Sequence, residues 1–207
     1  MTDITLEVIS SQESSFQPNC NPDYIDIHHW EEWKRSGVDD EIIKLNVQSV
    51  HDSYEVDKIL NRNNKKRWKH SEELVPAWRV AGINPLTDEF TLEGVQVKPD
   101  ISPMKDGKPQ KYLSPSEYGL SPLFLNTGIP EYWKRIIEDK TIPVIIIEGP
   151  KKAGCLLSNG YVVISIPGVA TCRKNGRLHK WLLLFCGFGR TFYIGFDNDL
   201  TALEELL

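Results

Sequence analysis

The sequence lacks the long apolar segments that cross membranes. It contains no uninterrupted apolar run of about 18 residues or more, which is the length that a spanning helix requires. The first residues, MTDITLEVISSQESS, also lack the basic start and the apolar centre of a signal peptide. These absences predict a cytoplasmic protein without a membrane span.

Cysteine is scarce, and its spacing indicates no metal or disulfide framework. The chain has four cysteines: Cys20, Cys155, Cys172 and Cys186. They form no C-x-x-C pair, so neither a zinc site nor a set of disulfides is predicted. The adjacent pair His28 and His29 has no further ligand spaced nearby in the sequence. We therefore predict a structural role for both histidines.

The composition is that of a globular protein with an acidic balance. Hydrophobic residues make up 40% and charged residues 26% of the chain, so a core of normal size is expected. The net charge of −5 argues against a simple basic protein that coats nucleic acid. Residues 1–22 are polar and predict a flexible tail, which precedes two segments of different pattern, 23–140 and 141–207.

The segment 23–140 predicts an α+β region. The stretch HHWEEWKRSGVDDEIIKLNVQSV, residues 28–50, predicts two short helices separated at Ser36-Gly37. Residues 76–122 alternate apolar and polar positions between turn signals, which predicts strands. The stretch IPEYWKRIIEDK, residues 129–140, predicts a further helix.

The segment 141–207 has the pattern of a parallel α/β sheet. Strands are predicted for IPVIII, YVVISIPG and RTFYIGFDND, and helices for KKAGCLLSNG, LHKWLLLFCG and TALEELL. The continuous aliphatic run IPVIII is typical of a strand covered on both faces. Short links between alternating strands and helices indicate βαβ units, whose strands run parallel. In such sheets, ligands bind at the carboxyl ends of the strands.

Three acidic residues stand at those carboxyl ends. Glu148 ends the first strand, and Asp197 and Asp199 end the third. Adjacent strands would bring the three carboxylates together, where they repel one another unless a cation joins them. Oxygen ligands of this kind suit Mg²⁺ or Mn²⁺.

Basic residues surround these acids. No Asp or Glu occurs between Glu148 and Asp197, whereas seven basic residues do: Lys151, Lys152, Arg173, Lys174, Arg177, Lys180 and Arg190. Lys151 and Lys152 lie in the first turn of a predicted helix, where the helix dipole disfavours a positive charge. A bound anion would explain that placement, because helix N-termini also offer N–H donors to phosphate.

The combined pattern resembles the TOPRIM domain shared by DnaG-type primases, topoisomerases and several nucleases. That family has a glutamate after its first strand and a D-x-D motif after its third, as in IIIEGPKKAG and IGFDND here. EGPKKAGCLLSNGYVVISIPGV is most similar to the TOPRIM-like domain of plasmid- and phage-borne replication proteins. Upstream, KYLSPSEYGLSPLF resembles the segment that precedes TOPRIM in DnaG-type primases.

The resemblance implies roles for the residues that match the motif. Glu148 would act in acid–base chemistry or as a metal ligand, and Asp197 and Asp199 would hold Mg²⁺. Lys151 and Lys152 would contact the phosphates of a nucleotide or template.

The resemblance and the charge pattern together suggest further contacts for the basic residues. Lys111 would line the groove between the upstream region and the TOPRIM-like domain. Arg173, Lys174 and Arg177 would belong to the basic surface along which the template lies.

The expected architecture is therefore a TOPRIM-like, Rossmann-like parallel α/β domain at 141–207, preceded by an α+β primase-like region at 23–140. TOPRIM domains continue past D-x-D with another helix and strand, so we expect this domain to be incomplete at its C-terminus. The chain has no G-x-x-x-x-G-K-[ST] motif. We expect a helicase-like ATPase elsewhere in a longer parent chain or in a separate partner.

Three functions are consistent with this pattern. The first is a metal-dependent primase-like nucleotidyl transferase, which uses nucleoside triphosphates to make primers on single-stranded DNA in plasmid or phage replication. The second is a metal-dependent TOPRIM nuclease. The third is a non-catalytic DNA-binding module of a replication initiator. The KYLSP segment favours the first.

Overall fold

The computed structural model describes residues 21–62, 74–115, 120–168, 172–174 and 177–196. Nearly all of the tail predicted at 1–22 and the helix predicted for TALEELL lie outside these ranges. None of the helices within them is long and apolar enough to cross a membrane.

The described chain begins with two short helices, as predicted. Helix α1 spans Ile27–Arg35 and helix α2 spans Asp40–Asn46. The prediction was wrong at its end, because Val47–Val50 forms strand β1 rather than more helix. This strand pairs antiparallel with Ala77–Val80, and tertiary pairing of this kind overrides local helix propensity. Helix α3 follows at Ser53–Ile59.

Strand β2 spans Ala77–Ile83 and strand β3 spans Phe90–Pro99, which confirms strands in the turn-rich region. With β1 they form the first sheet, which is antiparallel and has the strand order β1-β2-β3. Strands β4, Met104–Lys105, and β5, Lys108–Pro109, make a small hairpin.

Helix α4 spans Tyr132–Glu138, within the helix predicted at 129–140. Its buried face carries Trp133 and Ile136, two of the apolar residues whose spacing predicted the helix.

The second sheet is parallel, as the alternating pattern predicted. Strand β6 spans Val144–Glu148, helix α5 spans Pro150–Ser158 and strand β7 spans Val163–Ile166. A short hairpin that was not predicted follows, with β8 at Arg173–Lys174 and β9 at Arg177–Leu178.

The last described elements complete this sheet. Helix α6 spans Lys180–Phe185 and strand β10 spans Phe192–Gly195. The strand order is β10-β6-β7, and both pairings are parallel. Strand β7 is fully buried. Strand β6 is buried only at Val144, so its aliphatic run is less covered than predicted.

The segment Leu123–Phe124 joins the two sheets. Leu123 forms an antiparallel bridge with Ser165 of β7, and the carbonyl of Phe124 accepts a 2.9 Å hydrogen bond from the amide of Ile83 at the end of β2. Gly82 permits this approach, because a Cβ there would lie 2.0 Å from the carbonyl oxygen of Phe124. The glycine therefore sets how closely the segment lies against the first sheet.

One apolar core draws on both sheets. It includes Trp33 of α1, Trp78 of β2, Ile164 of β7 and, from the segment between the sheets, Phe124. The rings of Trp33 and Trp78 meet edge to face at 5.2 Å between centroids, a favoured aromatic geometry. Ala153 and Leu157 of α5 belong to the same core, so α5, whose first turn carries Lys151 and Lys152, packs against α1 and the first sheet.

Candidate functional site

Glu148 is the last residue of β6, at the carboxyl end of the parallel sheet, as predicted. Its Cα lies opposite Ile166, and the next amide, that of Gly149, donates a 3.1 Å hydrogen bond to the Ile166 carbonyl. Gly149 has φ 95° and ψ 134°, a backbone conformation that is essentially restricted to glycine. This turn lets α5 begin immediately after the carboxylate, with Pro150 in its first turn.

Four of the predicted site residues line one cavity of about 380 Å³. They are Glu148, Lys111, Lys151 and Lys152. Lys111 comes from a distant segment, which reaches the cavity because Leu113 pairs with Val97 of β3 through hydrogen bonds of 2.8 and 2.9 Å. The fold thus brings one carboxylate and three ammonium groups together at the strand end.

Gln96 of β3 also lines this cavity and was not predicted. Its side chain is 2% exposed, and among the described residues its Nε2 has no hydrogen-bond partner. An unsatisfied buried donor costs about 1–3 kcal/mol, so an acceptor on a ligand would relieve that cost. The only sequence signal was a glutamine placed between two valines of a strand.

Tyr112 contributes a phenol to the same cavity. Burial raises the pKa of Tyr112, and the negative charge of Glu32 raises it further. The phenol is therefore protonated at neutral pH and can donate a hydrogen bond into the cavity.

Glu32 of α1 connects the cavity to the rest of the fold. Its carboxylate accepts hydrogen bonds from Lys151 at 2.7 Å, Lys98 at 2.9 and 3.0 Å and the Trp78 indole at 3.0 Å. Burial alone would raise the pKa of Glu32, but these donors outweigh it and lower the pKa from 4.5 to about 2. Glu32 is thus ionised and holds the ammonium group of Lys151.

Lys111 and Lys152 are the exposed lysines of the cavity lining. The side chain of Lys151, in contrast, is 24% exposed and pairs with Glu32. Lys151 is therefore the less exposed of the three lysines and is held by a carboxylate, whereas Lys111 and Lys152 are exposed to solvent.

Asp197 and Asp199 lie outside the described residues. The strand that precedes them, β10, runs parallel to β6, and its last residue, Gly195, lies opposite Ile147. Strand β10 therefore ends one residue short of the level of Glu148, at the same edge of the sheet.

Arg173, Lys174 and Arg177 lie in the β8–β9 hairpin, where Arg173 pairs with Leu178 and Lys174 with Arg177. The side chain of Arg177 is exposed, and those of Arg173 and Lys174 are outside the described part of the structure. Within that part, the cavity lining around Glu148 does not include Arg177.

A second group of side chains could hold a metal ion, and it involves His28 and His29. Together with Asp26, each offers a ligand atom within 4.8 Å of the others. The expectation that these histidines lack a companion ligand was therefore wrong, because Asp26 is close in space. Burial lowers the pKa of His29, although a hydrogen bond with Asp100 opposes this shift.

Comparison with known proteins gives three similarities. Residues 132–205 match the family model described as "Domain of unknown function (DUF3854)". An uncharacterized protein of Picosynechococcus sp. strain PCC 7002 is 31% identical over 175 residues, covering 68% of this chain. The solved structure of the Aquifex aeolicus primase, comprising its zinc-binding and RNA polymerase domains, is 18% identical with a TM-score of 0.49 over 87% of this chain.

The chain is short beside these proteins. It spans 17% of the length of the Picosynechococcus relative and 46% of the length of the Aquifex chain.

Proposed function

We propose that this chain is part of a cytoplasmic primase-like nucleotidyl transferase of the TOPRIM type, which makes primers on single-stranded DNA in plasmid or phage replication. The observation that carries the proposal is the shared cavity of Glu148, Lys111, Lys152 and the buried Gln96. A carboxylate beside exposed ammonium groups, at the carboxyl end of a parallel strand, suits a nucleotide phosphate and its metal ion.

The donor set fits a hard divalent cation. Glu148, Asp197 and Asp199 are all oxygen donors, which Mg²⁺ and Mn²⁺ prefer. We assign the metal to these three residues, with substrate phosphates completing its coordination. When bound, the ion would neutralise charge that builds up on the transferring phosphoryl group.

The protein side chains have separate tasks in this proposal. Lys111 and Lys152 face solvent and bind the phosphates of the incoming nucleoside triphosphate. Glu32 holds the ammonium group of Lys151 at the N-terminus of α5. Because this side chain is already ordered, binding of a nucleotide does not carry the entropic cost of ordering it. Gln96 donates its amide hydrogen to an oxygen of the nucleotide. Glu148 holds the metal or transfers a proton.

The template would lie along the basic surface that includes Arg173, Lys174 and Arg177. A helicase-like ATPase, in the parent chain or in a separate protein, would supply single-stranded DNA. The division into a primase-like region at 23–140 and a TOPRIM-like domain at 141–207 belongs to the same proposal.

Primer synthesis tests the proposal directly. The full-length parent protein is incubated with single-stranded DNA, nucleoside triphosphates and Mg²⁺ or Mn²⁺, and new strands are resolved by electrophoresis. We expect metal-dependent primers with the wild type and none with Glu148→Gln or with Asp197→Asn combined with Asp199→Asn. Glu138→Gln, the same carboxylate-to-amide change on the exposed side of α4, should retain synthesis.

Two results would replace the proposal with another function. Cuts in circular single-stranded DNA with Mn²⁺ and no added nucleotide would identify a nuclease. Salt-sensitive DNA binding without any affinity for Mg²⁺ would identify a non-catalytic binding module. Primer synthesis that survives the double Asp197 and Asp199 substitution would rule out the metal assignment.

A further inference from the structure

Three histidines and two aspartates meet at the start of α1. Asp26 is the residue before the helix, and His28 and His29 lie in its first turn. His51 follows β1, and Asp100 follows β3. The group therefore joins one helix to two strands of the first sheet.

Asp100 forms a hydrogen bond with the Nε2 atom of each of the two helix histidines. Its Oδ1 lies 2.7 Å from His29 Nε2 and its Oδ2 lies 2.9 Å from His28 Nε2. An ionised carboxylate can only accept hydrogen bonds, so both Nε2 atoms carry hydrogen. In each neutral ring, the Nδ1 atom then keeps a lone pair.

Asp26 lies on the Nδ1 side of the His29 ring. His29, which is 0% exposed, has its Nδ1 atom 3.9 Å from Asp26 Oδ2. The other oxygen of Asp26 lies 3.1 Å from His51 Nε2. Among the described contacts, the Asp26 carboxylate makes no capping hydrogen bond to the helix, although its position before α1 is suited to one. It faces imidazole groups instead.

We propose that Asp26, His28 and His29 form a structural zinc-type site, with His51 as the fourth ligand. Imidazole and carboxylate donors suit Zn²⁺, which binds them at about 2.0–2.2 Å in a tetrahedron. Such an ion holds its ligand atoms about 3.3–3.6 Å apart. The ligand atoms of Asp26, His28 and His29 already lie within 4.8 Å of one another, so small side-chain movements suffice for these three. His51 is outside that group but has its Nε2 atom 3.1 Å from Asp26 Oδ1, and it must turn further to complete the tetrahedron.

Asp100 has the position of an outer carboxylate in this site. Histidines that bind metals almost always donate their other ring N–H to a carboxylate or carbonyl, which fixes the ring and makes the ligand more basic. Here one carboxylate takes that role for two rings at once.

Ser49 is the group that the ion must displace. Its hydroxyl accepts a 2.7 Å hydrogen bond from the Asp26 amide and lies 2.7 Å from His29 Nδ1. Metal binding exchanges the hydrogen bond between Ser49 and His29 for a metal–nitrogen bond, and the hydroxyl keeps its bond to the Asp26 amide. The ion would then tie α1 to β1 and, through Asp100, to the end of β3.

Calorimetric titration of chelator-treated protein with Zn²⁺ tests the site, in a buffer with excess Mg²⁺ to saturate oxygen-only sites. We expect one Zn²⁺ per chain. His28→Gln should weaken binding at least about ten-fold, and Asp100→Asn about 10- to 100-fold. His28 is half exposed, so its substitution should leave the fold intact, as circular dichroism would verify. His179→Gln, a histidine that pairs with Glu93 instead, is the matched control.

Cobalt separates this site from a cysteine site. The Co²⁺ complex should show visible ligand-field bands without the near-ultraviolet charge-transfer band of a thiolate. Absence of Zn²⁺ binding, a thiolate band, or wild-type affinity in both His28→Gln and Asp26→Asn would overturn the proposal. Zinc binding should persist in the Asp197 and Asp199 double variant, so this test stands apart from the test of primer synthesis.

Discussion

Lys151 Nζ donates a 2.7 Å hydrogen bond to Oε1 of Glu32, a residue 119 positions earlier in the chain. The contact joins the first turn of α5 to α1, and the same carboxylate accepts from Lys98 of β3. The helix dipole disfavours the positive charge of Lys151 in the first turn of α5, and the Glu32 carboxylate offsets this cost. A bound anion is not required to explain Lys151, whereas Lys111 and Lys152 remain the exposed lysines that can meet one.

Substitution of Glu32 should destabilise the fold. Glu32→Gln leaves Lys98 and Lys151 without their shared counter-charge in a half-buried position, and we expect the free energy of unfolding to fall by about 1–3 kcal/mol. Urea denaturation measures the change. Glu41→Gln is the control, because Glu41 forms an exposed pair with Lys44 and should change stability by less than about 1 kcal/mol. Equal effects of the two substitutions would contradict the role assigned to Glu32.

The same carboxylate should make stability depend on acid pH. The pKa of Glu32 is about 2 in the fold and near its ordinary 4.5 in the unfolded chain. Because the folded-state pKa is the lower one, the contribution is complete above about pH 5 and is lost as the pH falls towards 2. The shift corresponds to stabilisation of order 3 kcal/mol. Between pH 5 and pH 2, the free energy of unfolding measured by denaturation should fall more steeply for the wild type than for Glu32→Gln.

Gln96 should show opposite effects on stability and binding. Gln96→Leu removes a buried donor that has no partner in the part of the chain that the structure describes, so the free energy of unfolding should stay constant or rise by about 1 kcal/mol. The affinity for Mg²⁺ with a nucleoside triphosphate should fall about ten-fold or more, because one hydrogen bond to a charged ligand is lost. Gln48→Leu is the matched control: Gln48 accepts a hydrogen bond from Arg79, so this variant should lose stability and keep binding. Unchanged nucleotide affinity in Gln96→Leu would show that Gln96 does not contact the nucleotide.

The exposed lysines of the cavity should carry the salt dependence of phosphate binding. Lys111→Ala and Lys152→Ala should each weaken triphosphate binding and flatten its dependence on salt concentration, since each removes one ammonium group near the ligand. Lys134→Ala serves as the control, because Lys134 pairs with Glu131 on the surface of α4. Fluorescence titration at two salt concentrations measures both quantities. An equally large loss of triphosphate affinity in Lys134→Ala would indicate that the triphosphate is attracted by the overall positive charge rather than bound in the cavity.

Gly82 should be intolerant of even one added methyl group. A Cβ at this position would lie 2.0 Å from the backbone oxygen of Phe124, which cannot rotate away. We expect Gly82→Ala to lower the free energy of unfolding by about 1–3 kcal/mol or more. Gly195→Ala is the control in another strand, since its nearest neighbours are side-chain atoms of Ile147 at 3.7 Å. Comparable stability of the two variants would show that Leu123–Phe124 can shift without cost.

Local sequence patterns predicted the order of elements well. The aliphatic run before Glu148, the lysines after it and the alternation that follows are short-range signals, and hydrophobic periodicity reports them directly. The same signals failed at Val47–Val50, where pairing with Ala77–Val80 decides the conformation. They also could not predict the β8–β9 hairpin, whose strands have only two residues each.

The sequence alone determined that Glu148 ends a strand of a parallel sheet and that lysines follow it at the start of a helix, because both depend on residues within one βαβ unit. Only the tertiary structure decided that Glu32 holds Lys151, that Gln96 is buried with no hydrogen-bond partner for its Nε2 among the described residues, and that Asp100 orients two histidines. These contacts join residues that are tens of positions apart, and their geometry follows from how helix and sheets pack around the shared core.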